Sequence, residues 1–232
     1  EVSLSDMEGR TDLREEIIFT IDGDDTKDID DAISIKKLSD EMYELGVHIA
    51  DVSHYVEKDG IIDKDAYDRG TSVYLVDRVI PMLPHKLSNG ICSLNPNVDR
   101  LALSCVMNIN NKGHVKDYKI FKSVIRSRKQ MTYNCVNEIL ENNTIPDGYE
   151  PFVEKLNLMN ELSNILRKKM VNHGYLEFNR PEPKILVDEN CHPYQIDLRM
   201  QRTGEKIIEN FMIVANETVA GFIEDMKVPG IY

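Results

Sequence analysis

The chain contains no tryptophan and only four cysteines, Cys92, Cys105, Cys135 and Cys191, in 232 residues. The cysteines lie far apart and form no Cys-x-x-Cys pair. That spacing argues against structural zinc and a disulfide framework, and a reducing cytoplasm is the expected location. No run of 18 apolar residues occurs, so neither a membrane span nor a membrane partner is expected. The N-terminus, Glu1-Val-Ser-Leu-Ser-Asp6, lacks a basic stretch followed by an apolar core, so no signal peptide is visible. It also lacks an initiator methionine, as expected of a segment of a longer polypeptide. Basic charge is scarce: 28 Lys and Arg stand against 40 Asp and Glu, a formal net charge of −12. Such a chain does not grip nucleic acid by bulk charge. Its hydrophobic content of 41% is enough for a globular core.

What is abundant is aspartate, and it is concentrated. Residues 22–31 read Asp22-Gly-Asp-Asp-Thr-Lys-Asp-Ile-Asp-Asp31, six aspartates in ten residues, between the apolar runs Ile17–Ile21 and Ala32–Ile35. A turn needs one or two Asp or Asn to close, not six. Two carboxylates about 5 Å apart repel by roughly 3 kcal/mol at an effective dielectric of about 20. Convergence therefore requires protonation or a cation, and hard divalent cations favour carboxylate oxygen. A simply solvated acidic turn is the alternative. An EF-hand is not, because Lys27 falls where its invariant Gly belongs and Ile33 where its closing Glu belongs. Fully extended, nine residue steps span roughly 30 Å, so Asp22 can share a site with Asp30 and Asp31 only if the loop folds back. Gly23 supplies a flexible point for that.

The rest of the chain predicts one α+β unit with a mixed or antiparallel sheet and flanking helices. Strands are expected near 16–21, 32–38 and 43–52, after a charged, turn-like stretch at 8–16. A short helix is expected at 61–69 and an irregular segment at 71–97, where Pro81, Pro84 and Pro96 fall. A hairpin joins 101–109 to 115–127 through Asn110-Asn-Lys-Gly113. A short helix at 134–141 precedes an amphipathic one at 152–173. In the latter, Phe152, Leu156, Met159, Leu162, Leu166 and Met170 recur at helical spacing, with Gly174 as its stop. That stripe reads as core. Short strands near 184–187 and 194–198 lead to a last helix over 203–225.

Side chains alternate along a strand, so Asp28 and Asp30 would face one way and Asp31 the other. One metal cannot use all three in a regular strand. Two metals about 3.5–4 Å apart can, as can one metal on a locally bent backbone, and paired metals at that spacing serve phosphodiester cleavage.

The run Thr20-Ile-Asp-Gly-Asp-Asp-Thr-Lys-Asp-Ile-Asp-Asp-Ala32 resembles the active-site signature of the ribonuclease II and ribonuclease R family. Val47-His-Ile-Ala-Asp-Val-Ser-His-Tyr-Val56, Arg69-Gly-Thr-Ser-Val-Tyr74 and Ile80-Pro-Met-Leu-Pro84 follow in the family's order. So do Leu87-Ser-Asn-Gly-Ile-Cys-Ser-Leu-Asn-Pro96 and Glu209-x-x-Met-Ile-x-Ala-Asn216. Essentially the whole chain is covered. The resemblance implies a processive 3′-to-5′ exoribonuclease that uses magnesium, with manganese as a substitute, to hydrolyse RNA to nucleoside 5′-monophosphates.

By motif match, Asp22, Asp28, Asp30 and Asp31 are the family's four carboxylates. Asp22 and Asp31 would be the principal ligands of one metal, with Asp28 in support. Asp30 would hold a second metal or order the attacking water. Asp24 and Asp25 are bystanders. Tyr74 matches a tyrosine that packs on the 3′-terminal base, and Phe178 matches the aromatic at the far end of the stacked bases. Tyr133 and Glu209 match positions that read ribose, and a 2′-hydroxyl suits a phenol and a carboxylate because it both donates and accepts. Taken singly, each aromatic would read as core. His48 and His54, six apart on an expected strand, read as structural because magnesium prefers oxygen.

The family's other signature, a Ser-Pro-Ile-Arg-Arg-Tyr-Pro-Asp-Leu run, has no match in the sequence. The resemblance therefore implies the N-terminal portion of a catalytic domain. Single-stranded RNA 3′ ends are the expected ligand, and the rest of the domain with cold-shock and S1 modules the expected partners in the same polypeptide. A metal- and RNA-binding piece without catalysis is the alternative reading.

Overall fold

Alternation of apolar and polar residues through 31–50 and 99–126 builds the central sheet. The computed structural model describes residues 1–176 and 182–231. In chain order the strands are β1 (Thr11–Asp12), β2 (Thr20–Asp22), β3 (Asp31–Ser39), β4 (Met42–Ala50), β5 (Val73–Tyr74), β6 (Val79–Ile80), β7 (Asp99–Asn110), β8 (Val115–Arg126), β9 (Gln130–Thr132), β10 (Glu182–Val187) and β11 (Pro193–Arg199). The helices are α1 (Ile61–Arg69), α2 (Tyr133–Asn142), α3 (Val153–Asn172) and α4 (Thr203–Asp225). The main sheet runs β1-β8-β7-β4-β3, and β2-β9, β5-β6 and β10-β11 form two-stranded pairs. Every pairing in the main sheet is antiparallel except β1 with β8, so the fold is α+β with a mixed sheet.

One face of the sheet is apolar. Ile33, Ile35, Tyr43, Leu45, Val47, Met107 and Ile109 pack beneath α2, α3 and α4. The helical stripe supplies Leu156, Met159, Leu162 and Leu166 to that core, all buried, with Phe152 packed against its edge. The helix ends at Asn172, and Gly174 takes φ +89°, a conformation that favours glycine. A second, smaller core of Ile18, Ile29, Ala32, Ala50, Leu94, Ala102 and Ile125 lies where β3 begins and β4 ends.

The opposite face carries a buried polar chain. Ser34 Oγ lies 3.1 Å from His48 Nε2, His48 Nδ1 lies 2.7 Å from Ser104 Oγ, and Ser104 Oγ lies 2.6 Å from Ser123 Oγ. Gly46 makes room for this chain, since a Cβ there would collide with Ser34 Oγ and the His48 ring. Both nitrogens of His48 are thus occupied. His54 lies beyond the end of β4 in a single turn, where it contacts Asp6 and Arg10. The two histidines therefore do not share a strand face, because the strand stops at Ala50.

Three expectations are revised. Strand 16–21 is shorter and later: β2 starts at Thr20, Phe19 makes one bridge to Ile33, and Ile17 is exposed. The stretch at 8–16 contributes β1, and the irregular segment at 71–97 includes the β5–β6 hairpin. Among the described residues no helix is long and apolar enough to cross a membrane.

Burial holds the His48 imidazole down to a pKa of about 4, from an ordinary 6.5. A base whose folded pKa is depressed contributes stability above its unfolded pKa and loses it as pH falls toward the folded one. Between pH 6.5 and about 4 that contribution should decline. In urea titrations at pH 7 and pH 4.5, the parent should lose about 2 kcal/mol more than His48→Gln. The comparison cancels the carboxylates common to both proteins.

Candidate active site

The acidic loop hangs between β2 and β3, and its two ends are fixed differently. β2 runs parallel to β9 with Thr20 opposite Gln130, Ile21 opposite Met131 and Asp22 opposite Thr132. Ile21 and Met131 are buried in the main core, so Asp22 emerges where the pair leaves it. Tyr133, the next residue after Thr132 and the first of α2, is thereby brought beside Asp22. The loop then turns, with Thr26 N donating to Gly23 O at 3.2 Å. Gln130 Nε2 donates to Thr26 O at 3.1 Å, and Asn134 Nδ2 donates to Asp24 Oδ2 at 2.6 Å. At the far end Ile29 is fully buried in the smaller core, and Ala50 N donates to Asp30 O at 2.9 Å. Burying one such side chain stabilises by about 2 kcal/mol, enough to root a loop of charged residues.

Regular strand geometry begins only at Asp31, so the alternation rule does not govern residues 28–30. The loop folds back, and the carboxylates feel one another. Desolvation first, then the charges of Asp31, Asp30 and Asp28, push Asp22 up to about 7. Desolvation and then Asp30 push Asp31 up to about 6. Desolvation and then Asp28 raise Asp30. Among the described residues, no lysine or arginine contributes to these shifts. The Oδ2 atom of Asp22 is buried and has no hydrogen-bond partner among the described residues.

Among the described residues, no three His, Cys, Asp or Glu side chains stand at metal-ligand spacing as placed. This does not conflict with their electrostatic coupling. Two charges 6 Å apart still interact by about 3 kcal/mol at an effective dielectric of about 20, whereas ligands of one magnesium lie about 2 Å from it. Rotation of the side chains is required to close the set. An all-oxygen donor set with a buried, unpartnered carboxylate oxygen fits a hard divalent cation.

Tyr74 joins the same place from the β5–β6 hairpin. Its hydroxyl donates to Asp28 Oδ2 at 2.8 Å while its ring stays 65% exposed. Glu209 is carried on α4, whose start docks on α2: Gly204 N donates to Asn137 Oδ1 at 2.7 Å, and Asn137 Nδ2 donates to Glu205 Oε2 at 3.1 Å. Tyr133 and Glu209 thus ride on neighbouring helices. Phe178 lies outside the described residues. Gln130 and Asn134, which pin the loop, were not anticipated, because a three-residue parallel strand leaves no periodic trace.

Comparison with known proteins decides the family. The RNB domain model matches residues 10–232. Ribonuclease R of Thermotoga maritima is 49% identical across 100% of this chain and 33% of its own length. Ribonuclease R 1 of Lactococcus lactis is 48% identical across 100% of the chain and 28% of its own length. The chain belongs to the RNB domain family. The structure of Mycoplasma genitalium RNase R in complex with ribose methylated single-stranded RNA matches the RNB chain with a TM-score of 0.93. Identity there is 33%, over 98% of this chain and 36% of the other. The RNB chain spans about a third of the length of the relatives it matches.

Repulsion within the loop has a measurable cost. At pH 8, in chelator, Asp22→Asn removes one charge from the cluster. The RNB chain should become more stable by about 1–2 kcal/mol, a figure discounted for partial solvent screening, and melt about 2–8 °C higher. If the acids bind magnesium, millimolar magnesium should raise the melting temperature of the parent, and the substitution should shrink that gain. Differential scanning calorimetry with and without magnesium checks both outcomes.

Proposed function

We propose that this chain carries the acidic site of a 3′-to-5′ exoribonuclease that hydrolyses RNA to nucleoside 5′-monophosphates with magnesium, for which manganese can substitute. The convergence of Asp22, Asp28, Asp30 and Asp31, with no cationic partner among the described residues, carries the reading. It agrees with the RNB family match and with the naming of the relatives as ribonuclease R. The metal ions would supply charge neutralisation at the phosphate and ready a water for attack.

The placements support the following roles for this chain's own residues. Asp22 and Asp31, the more deeply buried acids, are the principal metal ligands. Asp28 supports them, fixed in orientation by the Tyr74 hydroxyl at 2.8 Å. Asp30 is the exposed member and orders the attacking water or a second cation. Attack at phosphorus breaks the bond to the 3′ oxygen of the preceding nucleotide. The released unit keeps its 5′ phosphate and the shortened strand keeps a 3′-hydroxyl. The exposed ring of Tyr74 offers a stacking platform for the terminal base, a contact of about 1–3 kcal/mol that tolerates any sequence. Tyr133 and Glu209 provide a donor and an acceptor for a ribose 2′-hydroxyl. Single-stranded RNA 3′ ends are the ligand. The cytoplasm is the place, in keeping with four cysteines that are all free. The remaining RNB segment with cold-shock and S1 modules completes the working protein.

Asp30→Asn, made in the longer polypeptide, should lower turnover at least about a thousandfold, roughly 4 kcal/mol of transition-state stabilisation, with RNA affinity largely kept. Parallel measurement of turnover and RNA affinity checks this. Near-normal turnover, or affinity lost as heavily as rate, removes Asp30 from catalysis.

A second reading, a metal- and RNA-binding piece without turnover, is favoured for the isolated chain by one observation: among the described residues no arginine acts on the shifted acids. Charge stabilisation on the phosphate is commonly the largest part of catalysis. Residues 1–232 alone, incubated with a 5′-labelled oligoribonucleotide and magnesium, should leave it nearly intact. A chain extended through the arginine run should shorten it from the 3′ end. A full ladder from the short chain would show that it is sufficient.

A further inference from the structure

The Cys92-Ser-Leu-Asn-Pro96 motif takes no direct part in the chemistry above, yet it bonds directly to the backbone of the acidic loop. Ser93 is fully buried. Its Oγ accepts from Ile29 N at 3.1 Å and donates to Lys27 O at 2.8 Å. The Lys27 carbonyl belongs to the peptide group before Asp28 and the Ile29 amide to the one after it. A single hydroxyl therefore holds the backbone on both sides of one carboxylate. Only a group that donates and accepts at one atom can do this, and an alanine there leaves both peptide groups unpaired.

The clasp is itself braced. Leu94 N donates to Ile29 O at 2.9 Å, and Leu94 and Ile29 are both fully buried in the smaller core. Arg100 Nε donates to Ser93 O at 2.7 Å and Arg100 Nη2 to Gly90 O at 3.2 Å. A half-buried guanidinium is thus given to backbone carbonyls of the clasp. Such an arrangement suits a loop whose side chains must sit within about 0.5 Å of a productive geometry.

We propose that Ser93 is a positioning residue that sets Asp28 and Asp30 for metal binding, with Arg100 holding Ser93 in turn. The inference rests on the reading of the loop as a metal site. The test compares the wild-type chain, Ser93→Ala and Ser93→Thr by calorimetric titration with manganese chloride, with hydrogen exchange at the Ile29 amide as a direct readout of the clasp. Ser93→Ala should speed exchange at Ile29 and weaken manganese binding at least tenfold while remaining folded. Ser93→Thr, which keeps the hydroxyl, should recover most of the affinity. In the longer polypeptide, Ser93→Ala should lower kcat at least thirtyfold with KM within threefold. A merely structural serine would lower the melting temperature and leave manganese affinity and kcat within twofold of wild type, and that result overturns the proposal. Equal losses in the alanine and threonine variants also overturn it. Should Ser93→Ala not fold, Arg100→Gln, which releases the Ser93 carbonyl, is judged by the same limits. A wild-type chain that binds no manganese overturns the functional reading and this inference with it. A wild type that binds, matched by Ser93→Ala, overturns this inference alone.

Discussion

Four carboxylates held within reach of one another repel, and much of the local architecture is arranged to withstand that repulsion. The opposing forces are visible in the loop itself. Ile29, a single apolar residue among aspartates, is driven into the smaller core and roots the chain between Asp28 and Asp30. Backbone bonds to Leu94 and Ala50 follow on either side. The Tyr74 hydroxyl steadies one acid, and Asn134 holds Asp24 away from the centre. The cost falls on Asp22, which is desolvated, surrounded by like charge and left with a buried oxygen that bonds to none of the described residues. Natural structures place such unpaired groups where a ligand acts, and the rest of the fold over-determines them.

The two cores divide the work. The larger one, between the sheet and α2, α3 and α4, is an ordinary apolar layer and supplies the bulk of stability. The smaller one sits at the end of the sheet where β3 begins and β4 ends, directly beneath the acids. Strand β9 ties the larger core to the acidic loop. It pairs with β2, buries Met131 in the larger core, and delivers Tyr133 to the side of Asp22. Rigidity from the larger core is thus transmitted to the site through three residues of parallel strand.

Much of this was legible in the sequence because long elements carry periodic signals. The stripe through Leu156, Met159, Leu162 and Leu166 foretold α3, and Asn110-Asn-Lys-Gly113 foretold the β7–β8 turn. The acids were legible from their density and from the motif around them. The illegible parts share one property, which is that they depend on residues distant in the chain. β9 is three residues long and exists because β2 lies beside it. Tyr74 reaches Asp28 across 46 positions, and Ser93 reaches Ile29 across 64. No window of local sequence contains both partners of such a contact. The placement of Asp31 was open for a related reason: alternation applies to a strand, and the strand starts one residue after Asp30.

The acidic balance of −12 bears on how a polyanion could be handled here. The chain does contain arginines, but those whose contacts are described are engaged. Arg10 is buried against Asp51, Arg14 and Arg126 share Asp99, and Arg69 and Arg78 pair with acids close in sequence. Arg202 is tied to Glu141, and Arg100 is given to backbone carbonyls. A guanidinium already held by a carboxylate or a carbonyl has fewer donors left for a phosphate oxygen. Among the described residues, in contrast, no cation pairs with the acids of the loop. The charge that would meet RNA on the proposed function is therefore not built from these arginines. In the proposed reading it comes from divalent metal at the loop and from the remainder of a longer polypeptide, of which this chain covers about a third by comparison with its relatives. On that proposal an acidic module would bring the metal, the bases would stack on exposed aromatic rings, and the phosphate backbone would be gripped elsewhere. Affinity and chemistry would then belong to different parts of the protein, so an acidic segment is compatible with the proposed RNA substrate.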